Sequence, residues 1–390
     1  MLSSYVRGDF PGLGRYRVYL NTAAVGLVPR PARDALVQRL MVFSEDPLGV
    51  ESGIVESLRQ IEALLEMLYG IPQGEVAWGE STTHMIARIA VAAAGGGTIA
   101  VTEHEFPGVV YALRTYCGSV GCRVIIARGE PEEALEEALD GGADVLVASS
   151  VFWVTGRRLD VARLAGKARR RGAYLVVDAI QHLGALPADA LLEADAFCAS
   201  SKKWLLAPHS GLAFCRVSRR LVESAQPPWA GLNNMNVGDR NLFWLDPGKR
   251  LDTLPPLRGD AWRFNAPSGI GYLQVAGLEE TLRYLSQIPV EAVYEHIMML
   301  RRHLVELLED AGIGYYRVPE GLESGIILVE TGLPPQGDMS VAKILASRGV
   351  SVSARGQAGL HGLRVSLHMY NSLRDVDVFV EELRTALSRV

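Results

Sequence analysis

The chain lacks the features that mark membrane proteins and secreted proteins. No run of apolar residues approaches the roughly 18 needed for a membrane-spanning helix, and the first residues lack the apolar core of a signal peptide. The net charge is only −5, and the basic residues are scattered along the chain. We therefore expect a cytoplasmic protein that binds neither membranes nor nucleic acid.

Cysteine is also scarce. The 390 residues include only Cys117, Cys122, Cys198 and Cys215. Four cysteines are too few for a disulfide framework, and the close pair Cys117 and Cys122 has no second pair with which to complete a zinc site. We expect reduced thiols in the core or at the surface, and no bound metal.

Lysine is the third scarce residue, with five lysines against 34 arginines. A lysine with a chemical role is therefore easy to isolate. Only Lys202 and Lys203 follow a segment that looks like a buried strand, the apolar run 194–197. These two lysines are the candidates for a side-chain amine that forms a covalent bond with a ligand.

Apolar residues, in contrast, make up 48% of the chain, too many for one small core. Between about residues 75 and 215, short apolar runs alternate with amphipathic stretches. This alternation predicts parallel strands joined by helices, in a sheet covered on both faces. The predicted strands cover 98–101, 123–126, 144–148, 174–177 and 196–199, and the predicted helices cover 85–94, 131–139 and 161–171.

The pattern changes after about residue 255. We predict an α/β protein whose large domain, residues 16–256, is joined through a proline-rich stretch to a smaller α+β domain, residues 257–390, with residues 1–15 on the smaller domain. The elements predicted for the smaller domain are a helix over 289–311, strands over 326–329 and 363–368, and a last helix over 375–387.

Candidate functional groups follow the predicted strands, at the sheet edge where α/β proteins bind ligands. Asp178 ends the strand 174–177, and Lys203 follows the next strand in the sequence Ser-Ser-Lys-Lys. A protein that holds pyridoxal phosphate (PLP) needs this arrangement, with the lysine in a Schiff base and the carboxylate against the pyridinium nitrogen. Taken alone, Asp178 is also explained as a strand-end cap, and the lysine pair as solvated surface.

A candidate phosphate loop precedes these two motifs. A strand over 76–79 ends at a glycine and is followed by Ser81, Thr82 and Thr83 at the start of a helix. The N–H groups and the positive dipole of a helix N-terminus bind phosphate. Each hydroxyl is also explained as an ordinary N-cap. The order of phosphate loop, carboxylate and lysine along one sheet favours a cofactor site.

Arg364 is a candidate for binding a carboxylate. In the segment 363–370, apolar residues alternate with polar ones, which predicts a half-buried strand with Arg364 on its polar face. A guanidinium offers two parallel donors to the carboxylate of an amino acid. A solvated charge explains the same pattern.

Together these motifs resemble the class V aminotransferases of PLP fold type I, a family that also contains cysteine desulfurases, kynureninases and isopenicillin-N-epimerase-like proteins. The resemblance covers nearly the whole chain. It implies a large PLP-binding domain with a mainly parallel sheet, a smaller C-terminal domain, an amino acid substrate and a homodimer. The similar segments are 19–24, 79–83, 176–181 with 187–189, 200–204 and 363–371.

The resemblance implies roles for single residues at the cofactor. Lys203, and not Lys202, forms the Schiff base, and Ser200 adds a hydroxyl to the phosphate site. Gln181 reaches the phenolic oxygen of the cofactor. Phe106 stands where relatives carry a histidine stacked on the pyridine ring, and an aromatic ring can stack in the same way. A plain core position also explains Phe106.

The resemblance also implies roles for residues that bind the substrate or contact the partner subunit. Arg364 binds the α-carboxylate of the substrate, and Asn21 lies on the substrate side. Ser268 stands roughly where relatives place a threonine that reaches the partner's phosphate, although their Gly-Thr-Pro sequence is not present here. The pocket is expected to be lined also by Trp153, His182, Arg355 and His361.

One departure from the family concerns cysteine. Desulfurases carry a nucleophilic cysteine in the segment that corresponds to 354–362, which here contains none and has Leu360 or a neighbour at that position. Without a thiolate there is no acceptor for a persulfide. We therefore expect an aminotransferase or an epimerase-like enzyme. The alternatives are a cysteine desulfurase or lyase, and a PLP-binding protein without turnover. Transamination, epimerisation and β-elimination share their first steps, so the motifs do not choose among them.

Overall fold

The computed structural model describes residues 2–208, 211–267 and 269–390, apart from the side chains of residues 51 and 52. None of the helices it describes is long and apolar enough to cross a membrane. The helices are α1 (Leu2–Val6), α2 (Arg30–Glu45), α3 (Pro47–Tyr69), α4 (Thr82–Ala94), α5 (Pro107–Val120), α6 (Pro131–Asp140), α7 (Val161–Arg170), α8 (Arg219–Ser224), α9 (Arg240–Leu245), α10 (Tyr272–Leu285), α11 (Val290–Asp310), α12 (Pro335–Ser347) and α13 (Leu373–Leu387). The strands are β1 (Val18–Tyr19), β2 (Val76–Gly79), β3 (Thr98–Thr102), β4 (Arg123–Ala127), β5 (Val145–Ser149), β6 (Tyr174–Asp178), β7 (Ala196–Ser200), β8 (Ala213–Val217), β9 (Gly314–Tyr315), β10 (Ile326–Glu330), β11 (Val350–Ser351), β12 (Ser353–Gln357) and β13 (Leu360–Ser366).

The largest sheet has seven strands in the order β2-β8-β7-β6-β5-β3-β4. Strands β3 to β7 are parallel, whereas β8 runs antiparallel to both β7 and β2. Successive residues of β5 enter opposite cores: Val145 and Val147 pack on the side of α4, and Leu146 and Ala148 on the side of α6 and α7. Burial on both faces explains why these strands appear as continuous apolar runs.

The predicted alternation of strands and helices is confirmed, with two differences. The helix predicted from residue 85 begins at Thr82, because the Ser81 hydroxyl accepts from His84 N and caps it. The elements that were not predicted include the antiparallel strand β8 and the helices α2, α3 and α5. α2 and α3 pack against α10, which lies beyond the proposed boundary at residue 256. The division into domains at that residue stays a prediction.

A second sheet of four antiparallel strands, β12-β13-β10-β9, contains Arg364. The N-terminal segment lies against this part of the chain, since β1 pairs in parallel with β11 and Arg7 forms an ion pair with Asp375 at the start of α13. The sheet therefore places Arg364 and the β12–β13 hairpin beside the first segment of the chain.

The expectation of reduced cysteines is wrong. Cys198 and Cys215 stand directly opposite each other on the antiparallel strands β7 and β8, 4.0 Å apart at Cα, and form a disulfide. Cys117 and Cys122 form a second disulfide, because Gly121 ends α5 in a left-handed conformation and turns the chain back, leaving their Cα atoms 4.6 Å apart. Cysteine spacing alone does not reveal such strand registers or helix ends.

Candidate active site

A cavity of about 330 Å³ lies at the carboxyl ends of β2, β3, β5, β6 and β7. Crossover connections make this edge the usual ligand site of α/β sheets. Of the predicted residues, the cavity gathers Ser81, Thr82, Thr83, Phe106, Trp153, Asp178, Gln181, Ser200, Lys203, Arg355 and Arg364, together with Ala23, Ala24, Glu80, Ser149, Ile180, Lys202 and Gly211.

Four predicted residues are not among those that line the cavity. Asn21 lies beside it, where its amide contacts Ser351 and Ser353. His182 is buried against Pro187 O, and His361 pairs with Asp338 in a separate crevice, so the expectation that these histidines line the pocket is wrong. Ser268 lies outside the described residues. The roles of Asn21 and Ser268 stay predictions.

Two buried hydroxyls in the cavity wall have no hydrogen-bond partner among the described residues: Thr82 Oγ1 and Ser200 Oγ. A buried polar atom without a partner costs free energy, on the order of 1–3 kcal/mol, unless a ligand satisfies it. Thr82 is also the first residue of α4, whose N-terminus opens on the cavity. These groups are suited to an anion such as a phosphate, and their role stays a prediction. Ser81, in contrast, is the N-cap of the helix.

Lys203 and Asp178 are the charged centre of the cavity. Asp178 ends β6, and its Oδ1 accepts from Ile180 N at 2.8 Å. Burial raises the pKa of Asp178 to about 6, against the opposing effects of that N–H and the Lys203 ammonium. Burial also lowers the pKa of Lys203 to about 7; Asp178 opposes this shift and Arg364 adds to it. Burial thus favours the nucleophilic free amine of Lys203, while Ile180 N and the Lys203 ammonium favour the anion of Asp178.

The loop that carries Lys203, residues 201–207, is held by close backbone contacts. A Cβ atom at Gly26 would come within 2.0 Å of Lys203 O. Gly184, whose φ is +98°, would place a Cβ atom 2.2 Å from Trp204 O. Only glycine permits these approaches, so the neighbouring chain fixes the backbone beneath the lysine.

Glu105 was not predicted from the sequence. This carboxyl is fully buried, and its Oε1 accepts from Ser149 Oγ at 2.8 Å and from Phe106 N at 2.7 Å. Burial, and then the Asp178 charge, raise the pKa of Glu105 to about 8. Burial and the Asp178 charge thus favour the protonated form of Glu105, so that of the two carboxyls Asp178 is the one that ionises more readily. A carboxylate directly before the aromatic residue that follows β3 was the available signal.

Arg364 lies in the cavity wall. It is buried, its NH1 donates to Trp153 O at 2.9 Å, and its Nε has no partner among the described residues. Burial, with a contribution from Arg355, lowers the pKa of Arg364 to about 9, so the guanidinium remains a cation at neutral pH. A buried cation with an open donor is suited to a carboxylate. The solvated-charge explanation is wrong.

Phe106 and Trp153 form an aromatic wall of the cavity. Their ring centroids are 5.6 Å apart in an edge-to-face arrangement. Phe106 is 43% exposed, which excludes a plain core position. The ring is available to a planar ligand in the cavity.

The sequence of this chain matches the model of a known protein family. The sequence model of the family described as aminotransferase class-V matches residues 18–379. The chain belongs to the class V aminotransferase family. This confirms the resemblance inferred from the motifs.

Relatives within the class V aminotransferase family carry several names. The chain is 25% identical to a probable cysteine desulfurase of Aeropyrum pernix over 98% of this chain and 97% of that protein. It is 27% identical to isopenicillin N epimerase of Amycolatopsis lactamdurans over 54% of this chain and 56% of that protein. Its fold is similar to that of the cystine C–S lyase C-DES, with a TM-score of 0.83 and 18% identity over 96% of this chain and 98% of that chain. The predicted PLP fold type I is confirmed.

The cofactor of this class V enzyme is PLP, and the cavity residues fit it. The unpartnered hydroxyls of Thr82 and Ser200 and the N-terminus of α4 fit the phosphate. Asp178 fits the pyridinium nitrogen as a buried anion, and the Phe106 ring fits the cofactor's face. Gln181 lines the same cavity, with its amide between Ala23 O and Trp204 Nε1. These assignments remain predictions for each residue.

Proposed function

We propose that this protein is a PLP-dependent enzyme that acts at the α-carbon of a free amino acid, by transamination or epimerisation, without a protein thiol. One observation carries the proposal: a single cavity brings together Lys203, Asp178 and Arg364, and none of the four cysteines lines it. Lys203 supplies an amine, Asp178 a buried anion, and Arg364 a cation that binds a carboxylate.

Each of these residues has a distinct task in the proposal. When bound, PLP supplies an aldehyde that condenses with amines and a ring that accepts electrons. Lys203 Nζ would hold the cofactor and, as a free amine, would take or return the α-proton, a role suited by a pKa that burial lowers to about 7. Asp178 keeps the ring nitrogen protonated. Arg364 holds the α-carboxylate and orients the α-hydrogen.

The arrangement of cysteine argues against desulfuration by a persulfide on the protein. All four cysteines form disulfides, and the turn of the β12–β13 hairpin consists of Ala358 and Gly359 between the paired residues Gln357 and Leu360. A persulfide acceptor must be a thiolate that reaches the substrate sulfur. Because several relatives are named cysteine desulfurase, that activity is the alternative to be tested.

We expect sulfide release from L-cysteine to be much slower than the conversion of the best other amino acid. The test is to supply the holoenzyme with a panel of amino acids and to measure keto acids, inverted stereoisomers, pyruvate and sulfide. A cysteine-to-serine variant of each disulfide is the control. Sulfide release as fast as the best other reaction, and abolished in one of these variants, would establish the desulfurase. Binding with no product from any amino acid would indicate a PLP-binding protein.

We also propose a homodimer. Large apolar side chains are exposed on two segments, and patches of this kind are typical of protein interfaces. We expect a dimer in light scattering at micromolar concentration, and dissociation when Trp244 and Leu245 are both replaced by serine. Serine at Tyr5, an exposed aromatic residue outside both segments, is the control. A fully active monomer would contradict the proposal. The exposed side chains are Val37, Leu40, Met41, Val42, Phe43 and Leu48 in one segment, and Leu232, Leu242, Trp244, Leu245, Leu251 and Leu254 in the other.

A further inference from the structure

Strand β12 presents one face to the large sheet, and this face carries Ser353, Arg355 and Gln357. Side chains two residues apart share a face of a strand. Ser353 Oγ donates to Asn21 Oδ1 at 2.8 Å, and Gln357 Nε2 donates to the carbonyls of Glu103 and Glu105, each at 2.6 Å. Arg355 lies between these two anchors and lines the active-site cavity.

The wall that faces Arg355 is also fixed. Trp153 Nε1 donates to Gln357 Oε1 at 2.5 Å, and the Arg364 guanidinium lies 5.9 Å from the centre of the Trp153 ring. The hairpin and the aromatic wall are therefore joined through Trp153. The two arginines border one cavity from the neighbouring strands β12 and β13.

Neither arginine forms an ion pair with a carboxylate among the described residues. Arg364 donates to Trp153 O, and Arg355 donates to the backbone oxygen of its neighbour Ala354 at 2.7 Å. Each guanidinium has five donors, so most of the donors are left for a ligand. Arg355 also contributes to the lowered pKa values of Lys203 and Arg364, which places its charge close to both. A ligand with one carboxylate would neutralise one of the two cations.

We propose that Arg355 binds a second anionic group on the side chain of the substrate, so that the preferred substrate is an acidic amino acid. The inference rests on the proposed function, in which Arg364 holds the α-carboxylate. Two fixed guanidiniums in one cavity match two anionic groups on one small molecule. Trp153 lines the same cavity and offers an apolar surface for the connecting carbon atoms.

The test uses pairs of amino acids that differ only in side-chain charge: aspartate with asparagine, and glutamate with glutamine. Binding to the holoenzyme is measured by titrating the visible absorbance of the cofactor. At least one acidic member should bind about tenfold or more tightly than its amide. Arg355→Gln should weaken the binding of the acidic member by about tenfold or more, and the binding of its amide by less than about threefold. Arg364→Lys should weaken both.

Arg317→Gln is the matched control, because it removes one exposed positive charge that does not border the cavity. It should leave both affinities unchanged. Equal losses for acid and amide in Arg355→Gln would show that both arginines share the α-carboxylate and would overturn the inference. Equal binding of acid and amide to the wild type would also overturn it, while the proposed function would stand. No response to any amino acid would defeat the proposed function, and this inference with it.

Discussion

Replacement of Lys203 by alanine should abolish covalent attachment of PLP and lower turnover by at least about 1000-fold. The reason is chemical: burial holds the pKa of this amine near 7, and the amine lies in the same cavity as Asp178. An alanine at this position removes both the covalent ligand and the group that moves the α-proton. Borohydride reduction followed by peptide mapping, together with the visible absorbance of the cofactor, measures the first loss.

Lys202→Ala is the matched control, because Lys202 is adjacent in sequence and also lines the cavity. This variant should retain both the covalent adduct and most of the turnover. A reduced adduct found on Lys202, or turnover retained by Lys203→Ala, would show that the lysine was assigned wrongly. The phosphate site does not involve Lys203, so PLP without the covalent bond should still be recovered with the Lys203→Ala protein.

Replacement of Asp178 by asparagine should leave PLP bound but reduce kcat by about 100- to 1000-fold, the range expected for the loss of one preorganised electrostatic group. Asparagine keeps the shape and the acceptor for Ile180 N, and removes the charge. With a pKa of about 6, the carboxyl is ionised at pH 7 despite its burial. The pyridine nitrogen then loses its anionic partner, and the ring becomes a weaker electron acceptor.

Glu105→Gln gives a matched comparison for Asp178→Asn. The raised pKa of Glu105 predicts that its carboxyl is neutral at pH 7, so a neutral amide should cause a much smaller loss. Steady-state kinetics and cofactor content would be measured for both variants. If Asp178→Asn keeps nearly normal turnover, then Asp178 is only a structural cap of its strand.

Much of the site followed from the sequence because its residues stand directly after strands. Asp178 and Ser200 are the last residues of β6 and β7, and a parallel sheet brings such ends together whatever the lengths of the crossover helices. Glu105 was not predicted because the sequence does not show whether a glutamate is buried and protonated or exposed and ionised. Only the packing around β3 distinguishes them.

Two of the errors have the same physical origin, since each depends on contacts between distant parts of the chain. The cysteine pair on β7 and β8 is set by an antiparallel register, and the sequence analysis predicted no strand at β8 from which that register could be inferred. His361 was expected in the pocket and lies close to Arg364 in the sequence. In the structure its ring faces Asp338 on α12 instead.

The disulfide between Cys198 and Cys215 also has a consequence for Lys203, which lies between them in the sequence. The 17-residue separation closes the lysine loop into a covalent ring that includes the ends of both strands. A protease that cuts this ring once would leave the new ends tethered to the same protein. In a digest made without reductant, a single cut between the two cysteines would therefore leave the fragment that contains Lys203 joined through the disulfide to the other fragment of the ring, and its mass would be that of two linked fragments.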